Sequence, residues 1–64
     1  MFNHERLAEM IRENGIEQKV LAAKVGVSET MMSFIVNGLK EPSLTVLGRI
    51  AKALGVSALD LIID

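Results

Sequence analysis

The chain has 64 residues, half of them hydrophobic, and a formal net charge of −1 at neutral pH. It contains no cysteine, which excludes disulfides and thiolate metal sites and fits a cytoplasmic protein. No apolar run approaches the ~20 residues of a membrane span, and the N-terminus lacks the basic and apolar regions of a signal peptide. The length predicts one small domain, residues 1–64, with a core of marginal size.

The first predicted helix runs from about residue 3 to about residue 14. Asn3 is a suitable N-cap, because its side chain can accept a hydrogen bond from a free amide of the first turn. Leu7, Met10 and Ile11 recur at helical spacing, which predicts a face directed toward the core. Asn14-Gly15 is a typical helix stop.

The polar residues of this helix are more simply explained by solvation than by chemistry. His4 is the single histidine, and no cysteine or second histidine is present to share a metal ion, so we expect a solvated side chain. Glu5, Glu9 and Glu13 repeat every four residues, which predicts a solvated face more readily than an acidic surface for a partner.

Residues 18–37 predict two short helices joined by a tight turn. Helix 2 begins near Gln18, and Gly26 supplies the left-handed backbone that ends it. Ser28 is placed to cap helix 3, which continues to Asn37. Apolar residues at helical spacing fill the inner sides of both helices: Leu21, Val25, Met32 and Ile35. Two helices joined by a short Gly-containing turn form a helix-turn-helix, whose second helix can be presented to a DNA major groove.

Helix 4 has the strongest helical pattern in the chain. Ser43 is its predicted N-cap and Gly55 its stop. The predicted apolar stripe consists of Leu44, Leu47, Ile50, Ala51 and Leu54.

A fifth helix is predicted after Ser57, because Asp60 three residues later resembles a capping box. As an α-helix it would place Leu59, Ile62 and Ile63 on one face. We expect Leu59 and Ile62 to close the core, while the surplus residues Leu61 and Ile63 could form a two-fold dimer interface.

The predicted fold class is all-α, a compact five-helix arrangement without strands, because the Val and Ile residues recur at spacings of three and four. Met10 and Met32 are expected to fill the core rather than to hold a cofactor. No nucleophile–base pair, metal cluster or phosphate-binding loop is evident, so we predict no enzyme activity, cofactor, metal or small-molecule substrate.

The ordered set of these residues resembles the lambda-repressor-like, Cro/C1-type helix-turn-helix domains over nearly the whole chain. The resemblance is carried by Gln18, Leu21-Ala22, Val25-Gly26-Val27-Ser28, Ser33, Ile35, Asn37-Gly38, Pro42-Ser43-Leu44 and Ile50 to Ser57. It implies a five-helix DNA-binding domain and a double-stranded DNA partner.

The resemblance also implies a role for individual positions. Glu29, Thr30 and Phe34 lie where family members read base edges, and Met31 lies where they touch a phosphate or a thymine methyl group. The positions implied to hold the DNA backbone are Gln18, Ser33, Asn37 and Lys40, together with the N-termini of helices 2 and 3, where Ser28 is located.

Two departures from the family pattern stand out. Many relatives carry Arg, Lys or Gln where this chain has Glu29, Met31 and Phe34, so few phosphate contacts and a shallow salt dependence are predicted. Many relatives also pair an Arg on helix 1 with a Glu on helix 3, whereas the matching positions here are Ile11 and Val36. We predict that these two side chains touch in the core, since apolar residues often replace a buried ion pair without loss of stability.

Two functions from different classes remain open at this point. The leading prediction is a sequence-specific DNA-binding transcriptional regulator, acting as a homodimer and as a repressor, although activation is equally compatible with the sequence. The alternative is a protein-interaction module on the same fold, favoured by the low net charge and by Met31 and Phe34. A domain cut from a longer regulator is a third possibility.

Overall fold

The computed structural model describes residues 1–62. These form four α-helices, α1 (His4–Asn14), α2 (Gln18–Val25), α3 (Glu29–Val36) and α4 (Leu44–Leu54), followed by a 3₁₀ helix (Ala58–Leu61). The prediction of five α-helices is therefore wrong in its last element, while the all-helical class holds for the described residues. None of the helices within residues 1–62 is long and apolar enough to cross a membrane.

The predicted helix starts are confirmed by their caps. The side chains of Asn3, Ser28 and Ser43 each accept a hydrogen bond from the amide three residues later, over 2.9, 3.0 and 3.2 Å. Ser57 and Asp60 form the predicted capping box at the 3₁₀ helix. Because each cap needs only residues close in sequence, local chemistry fixes where these elements begin.

The core lies where the helical spacing predicts it for the first three helices. Its buried members are Phe2, Leu7, Met10, Leu21, Ala22, Val25, Met32, Ile35, Leu47, Ile50, Ala51 and Leu61. Helix α2 packs against both α3 and α4, and α1 packs against α3, α4 and the 3₁₀ helix. Ile11 and Val36 are partly buried and pack against this core, so their predicted mutual contact stays a prediction.

The leucine at the start of α4 differs from its prediction. Leu44 is the first residue of the helix and is 87% exposed, so it does not belong to the buried stripe. Leu47, Ile50 and Ala51 are buried as predicted, and Leu54 is half-buried. Side chains of a first turn can project beyond the neighbouring helices, which a periodicity argument does not detect.

The C-terminal element reverses the predicted burial of two leucines. Leu61 is fully buried and Leu59 is 79% exposed, so the predictions of Leu59 as core and of Leu61 as a surface position for a dimer are wrong. A 3₁₀ helix has three residues per turn, and it gives way to extended backbone at Ile62, so the spacing of an α-helix does not apply. Ile62 is 37% exposed, and Ile63 lies outside the described residues.

The two ends of the described chain are paired. Phe2 and Ile62 form an isolated antiparallel β-bridge, and the Asn3 amide donates to the Leu61 carbonyl over 2.7 Å. This contact closes the core over the buried Phe2 side chain. It joins residues at opposite ends of the sequence, and no local pattern indicated it.

Candidate nucleic-acid interface

The turn between α2 and α3 has the predicted helix-turn-helix form. Gly26 has φ 85°, a left-handed value that side-chain-bearing residues rarely adopt. The amides of Gly26 and Val27 both donate to the Ala22 carbonyl, over 2.9 and 3.1 Å, and Val27 packs partly buried against the core. Ser28 then caps α3, so the second helix starts immediately after the turn.

Helix α3 is held along one side and open along the other. Met32 and Ile35 are buried in the core, whereas Glu29 and Thr30 are exposed and Phe34 is 39% exposed. This distribution leaves a continuous outer side available to a partner. Met31 is partly buried and packs against the core, so its predicted contact with a phosphate or a thymine methyl group stays a prediction.

Several predicted site residues come together in a groove between the N-terminal end of α2 and α3. The groove has a volume of about 450 Å³ and is lined by Gln18, Glu29, Thr30, Ser33 and Phe34. These side chains offer a donor and acceptor amide, a carboxylate, two hydroxyls and an aromatic ring. Such a mixture can contact both base edges and phosphate oxygens.

The remaining predicted residues lie at the ends of α3 rather than in this groove. The Ser28 hydroxyl is occupied by its cap, and the Asn37 side-chain amide donates to the Ser33 carbonyl over 2.8 Å and to its hydroxyl over 3.3 Å. Lys40 is exposed in the loop after α3, and its amide donates to the Phe34 carbonyl over 3.3 Å. Asn37 therefore stabilises the end of α3 in addition to any contact with a partner.

The electrostatic character of this surface is nearly neutral. Lys40 is its one cation and Glu29 its one anion among the predicted site residues. Lys19, next to Gln18, lies 3.8 Å from the carboxylate of Glu17. The interface therefore lacks the concentrated positive charge that is usual for DNA-binding surfaces.

His4 is a structural residue that the sequence reading placed in solvent. Its ring is half-buried, and Nδ1 lies 3.2 Å from the Val36 carbonyl, the last of α3. A Cβ atom added to Gly38 would approach the ring to 2.6 Å, so the ring packs directly on that glycine. The first residue of α1 therefore holds the end of α3, a contact across 32 positions that no sequence pattern signals.

Two leucines that follow α3 in the chain are also exposed. Leu39 is 72% exposed and follows α3, and its amide donates to the Phe34 carbonyl over 2.8 Å. Leu44, at the start of α4, is more exposed still. The stretch from residue 39 to residue 44 therefore exposes two large apolar side chains to solvent.

Comparison with known proteins decides the family. The family model described as "Helix-turn-helix" matches residues 7–61, which is most of the chain. The chain belongs to the Cro/C1-type helix-turn-helix family. The match takes in the helix-turn-helix pair and the 3₁₀ helix, and it begins after His4.

This helix-turn-helix chain is similar to a curated relative of comparable length. It is 34% identical over 55 residues to the uncharacterized HTH-type transcriptional regulator y4dJ of Sinorhizobium fredii (strain NBRC 101917 / NGR234). The aligned part covers 86% of this chain and 71% of that protein.

Two solved structures have a similar fold. The restriction-modification controller protein C.AhdI from Aeromonas hydrophila superposes with a TM-score of 0.87 and 25% identity, covering 92% of this chain and 89% of that one. The master regulator for biofilm formation SinR, solved in complex with DNA, superposes with a TM-score of 0.84 and 30% identity, covering 92% and 98%.

Proposed function

We propose that residues 1–64 act as one sequence-specific DNA-binding domain of a transcriptional regulator, which inserts α3 into the major groove. The observation that carries this proposal is the open outer side of α3, facing the groove formed with Gln18 at the start of α2. The similarity to SinR, whose structure was solved with DNA, and to an HTH-type transcriptional regulator supports it.

Phosphates are held chiefly at the start of α2. Its N-cap residue Glu17 makes no side-chain cap hydrogen bond, and the Glu17 carbonyl accepts only from Val20 and Leu21. The first amides of α2 can therefore donate to a phosphate oxygen, where the helix dipole also favours an anion. The Gln18 side-chain amide adds a donor beside them. Asn37 and Lys40 contact the DNA backbone near the C-terminal end of α3.

Base readout falls to the exposed side chains of α3. The Glu29 carboxylate can accept from the amino group of cytosine, and Thr30 can donate to or accept from several base edges. Phe34, together with the half-buried Met31, offers an apolar contact for a thymine methyl group. This combination reads cytosine and thymine on the contacted strand, whereas an Arg at these positions would read guanine.

The regulator acts as a homodimer that represses by occupying a promoter. Two copies of α3 would read two half-sites about one turn of DNA apart, which a two-fold pair supplies. Leu61 is buried and does not contribute to such an interface. The exposed Leu59 and Ile62 lie beside it, and Ile63 remains a predicted interface residue.

Selection of bound duplexes from a random pool, read by sequencing, tests this function directly. An enriched palindrome is expected, with half-sites one helical turn apart. Fluorescence polarisation with a random duplex at low salt provides the simpler control. Absence of binding at tens of micromolar would contradict the proposal, because non-specific binding normally lies in the range of about 10⁻⁴ to 10⁻⁶ M.

A protein-interaction module is the second candidate, and one observation favours it. Phe34 and Leu39 are both exposed beside a nearly neutral surface, which suits an apolar partner better than a phosphate backbone. Under this alternative the random duplex would not bind at low salt, and Phe34→Ser would remove binding to the protein partner.

A further inference from the structure

A second groove lies between α2 and α4 and shares no residue with the groove between α2 and α3. Three cations line it, Lys24, Arg49 and Lys52, and its volume is about 580 Å³. The lining is completed by the half-buried Ala53, by Gly26 and by Val25, whose side chain is itself buried in the core. We call this surface the basic groove.

The preference of helix C-termini for cations explains the positions of only two of these three residues. Lys24 lies in the last turn of α2 and Lys52 in the last turn of α4, where cations offset the negative end of a helix. Arg49 lies mid-way along α4 and reaches across, donating from Nη1 to the Val25 carbonyl over 3.4 Å. Its Nη1 atom also lies 3.5 Å from the Cβ position of Gly26. This long hydrogen bond places the guanidinium over the turn at Gly26, and a guanidinium has five donors with which to contact a ligand.

The basic groove also lacks an internal counter-charge in the part of the chain that the structure describes. Arg6 and Lys19 form ion pairs with glutamates, whereas Lys24, Arg49 and Lys52 form none within residues 1–62. None of the acidic residues between positions 1 and 62 lines the groove. All three cations are exposed, so an external anion can reach them.

We propose that the basic groove binds an extended acidic segment of a partner protein. The exposed guanidinium of Arg49 suits a carboxylate, which it can contact through two parallel hydrogen bonds, and the flanking lysines contact neighbouring carboxylates. The half-buried Ala53 offers a small apolar contact beside them. A DNA duplex fits less well, because it presents a long row of phosphates and the cations here surround one short groove.

Two-dimensional NMR on the full ¹⁵N-labelled chain tests the proposal, with a blocked peptide of glutamate and alanine as the probe. Shifts are expected in the amides of residues 24–26 and 49–53. The double variant Lys24→Gln/Lys52→Gln removes two cations without touching the hydrogen bond of Arg49. It should weaken peptide binding about tenfold, as expected for the loss of charge-assisted contacts.

The matched control is Arg12→Gln/Lys19→Gln, which removes the same charge from exposed positions outside the basic groove. It should change peptide affinity by less than about twofold, since exposed charges at a distance are screened by salt. Equal weakening by both double variants would show that only net charge matters and would overturn the proposal.

Two other results would overturn it as well. The first is an absence of shifts in the groove at millimolar peptide. The second is a random duplex that shifts the same groove amides more strongly than the peptide does, which would make the groove a nucleic-acid site. Because DNA reading by α3 would be detected at residues 29–34, failure of this proposal is distinguishable from failure of the proposed function.

Discussion

Helix α2 borders two grooves that differ sharply in charge. Of the described residues, Glu29 is the charged one that lines the groove shared with α3, and Lys40 lies outside that lining. The basic groove shared with α4 is lined by three cations and, among residues 1–62, by no anion. A helix of eight residues thus separates a surface with mixed polar and apolar groups from one with concentrated charge.

This division distinguishes the chain from a typical DNA-binding domain. Such a domain gains most of its affinity from cations that neutralise phosphates, while base contacts give specificity. Here the outer side of α3, which has the geometry of a recognition helix, is nearly neutral. The concentrated positive charge lies instead in the basic groove, which is built from other residues. We therefore expect weak but selective DNA binding, and a separate partner for the basic groove.

The largest effect should come from breaking the core that holds both grooves in place. Ile11→Arg would place a guanidinium among partly buried apolar side chains, at the position where the family resemblance implies an Arg paired with a Glu. Leaving such a charge unpaired should cost about 2–3 kcal/mol, somewhat less than a fully buried case. Thermal unfolding should show a fall in Tm of roughly 10–20 °C for a domain of this size.

A double variant shows whether Ile11 and Val36 are in contact. Ile11→Arg/Val36→Glu restores the ion pair of the relatives and should recover a large part of the lost stability, with Ile11→Leu as the conservative control. An unchanged Tm in Ile11→Arg would refute the predicted contact. Additive losses in the double variant would show that the two side chains lie apart.

The next effect is a difference in stability between alanine substitutions at two glycines, Gly26 at the end of α2 and Gly38 after α3. Both have left-handed backbone, φ 85° at Gly26 and φ 77° at Gly38, so alanine strains either one by about 1–2 kcal/mol. At Gly26 the new methyl group meets Arg49 at an ordinary 3.5 Å, but at Gly38 it meets the His4 ring at 2.6 Å. Gly38→Ala should therefore be more destabilising by about 1 kcal/mol, the value of the His4 hydrogen bond that must be displaced.

Chemical denaturation of the two alanine variants measures this difference. His4→Ala/Gly38→Ala provides the control, because removal of the ring should bring the cost of the Gly38 substitution close to that at Gly26. If the two single variants are equally stable, the packing of His4 on Gly38 contributes nothing. Loss of DNA affinity only in the Gly38 variant would show that His4 also positions the end of α3.

The features that sequence reading found are those encoded within a few residues. Asn3, Ser28 and Ser43 cap helices through amides three positions away, and Gly26 ends α2 by its own backbone freedom. The grouping of Gln18 with the outer residues of α3 follows from the helix-turn-helix geometry once that pair is recognised.

The features that sequence reading missed depend on contacts between distant segments. His4 meets Val36 and Phe2 pairs with Ile62 only after the chain has folded. The basic groove likewise assembles Lys24 with Arg49 and Lys52 from two helices, so no run of charge announces it. Leu59 was misassigned because a short 3₁₀ helix does not follow the spacing of an α-helix.

A smaller effect should come from the acidic residue of the α2–α3 groove. Glu29→Gln removes a negative charge that repels phosphates, so DNA affinity should rise about three- to tenfold at low salt, while the preference for cytosine at the contacted position falls. Fluorescence polarisation with matched and cytosine-substituted duplexes measures both changes. Glu41→Gln, in the exposed loop, is the control and should raise affinity less without changing the preference. Equal gains from both variants would place Glu29 away from the bases.

The smallest effect tests whether the two grooves serve one ligand or two. With Lys40 as the cation of the proposed interface, log affinity should fall with log salt concentration with a slope of only about −1 to −2. Lys40→Gln should reduce the magnitude of that slope by about 1, since one phosphate contact is lost. Lys24→Gln/Lys52→Gln should leave the slope unchanged, because the cations of the basic groove neutralise no phosphate in the proposed complex and so release no counterions from the DNA. A smaller magnitude of the slope in the double variant would mean that DNA contacts both grooves of α2. The assignment of DNA to the α2–α3 groove and of a different partner to the basic groove would then be wrong.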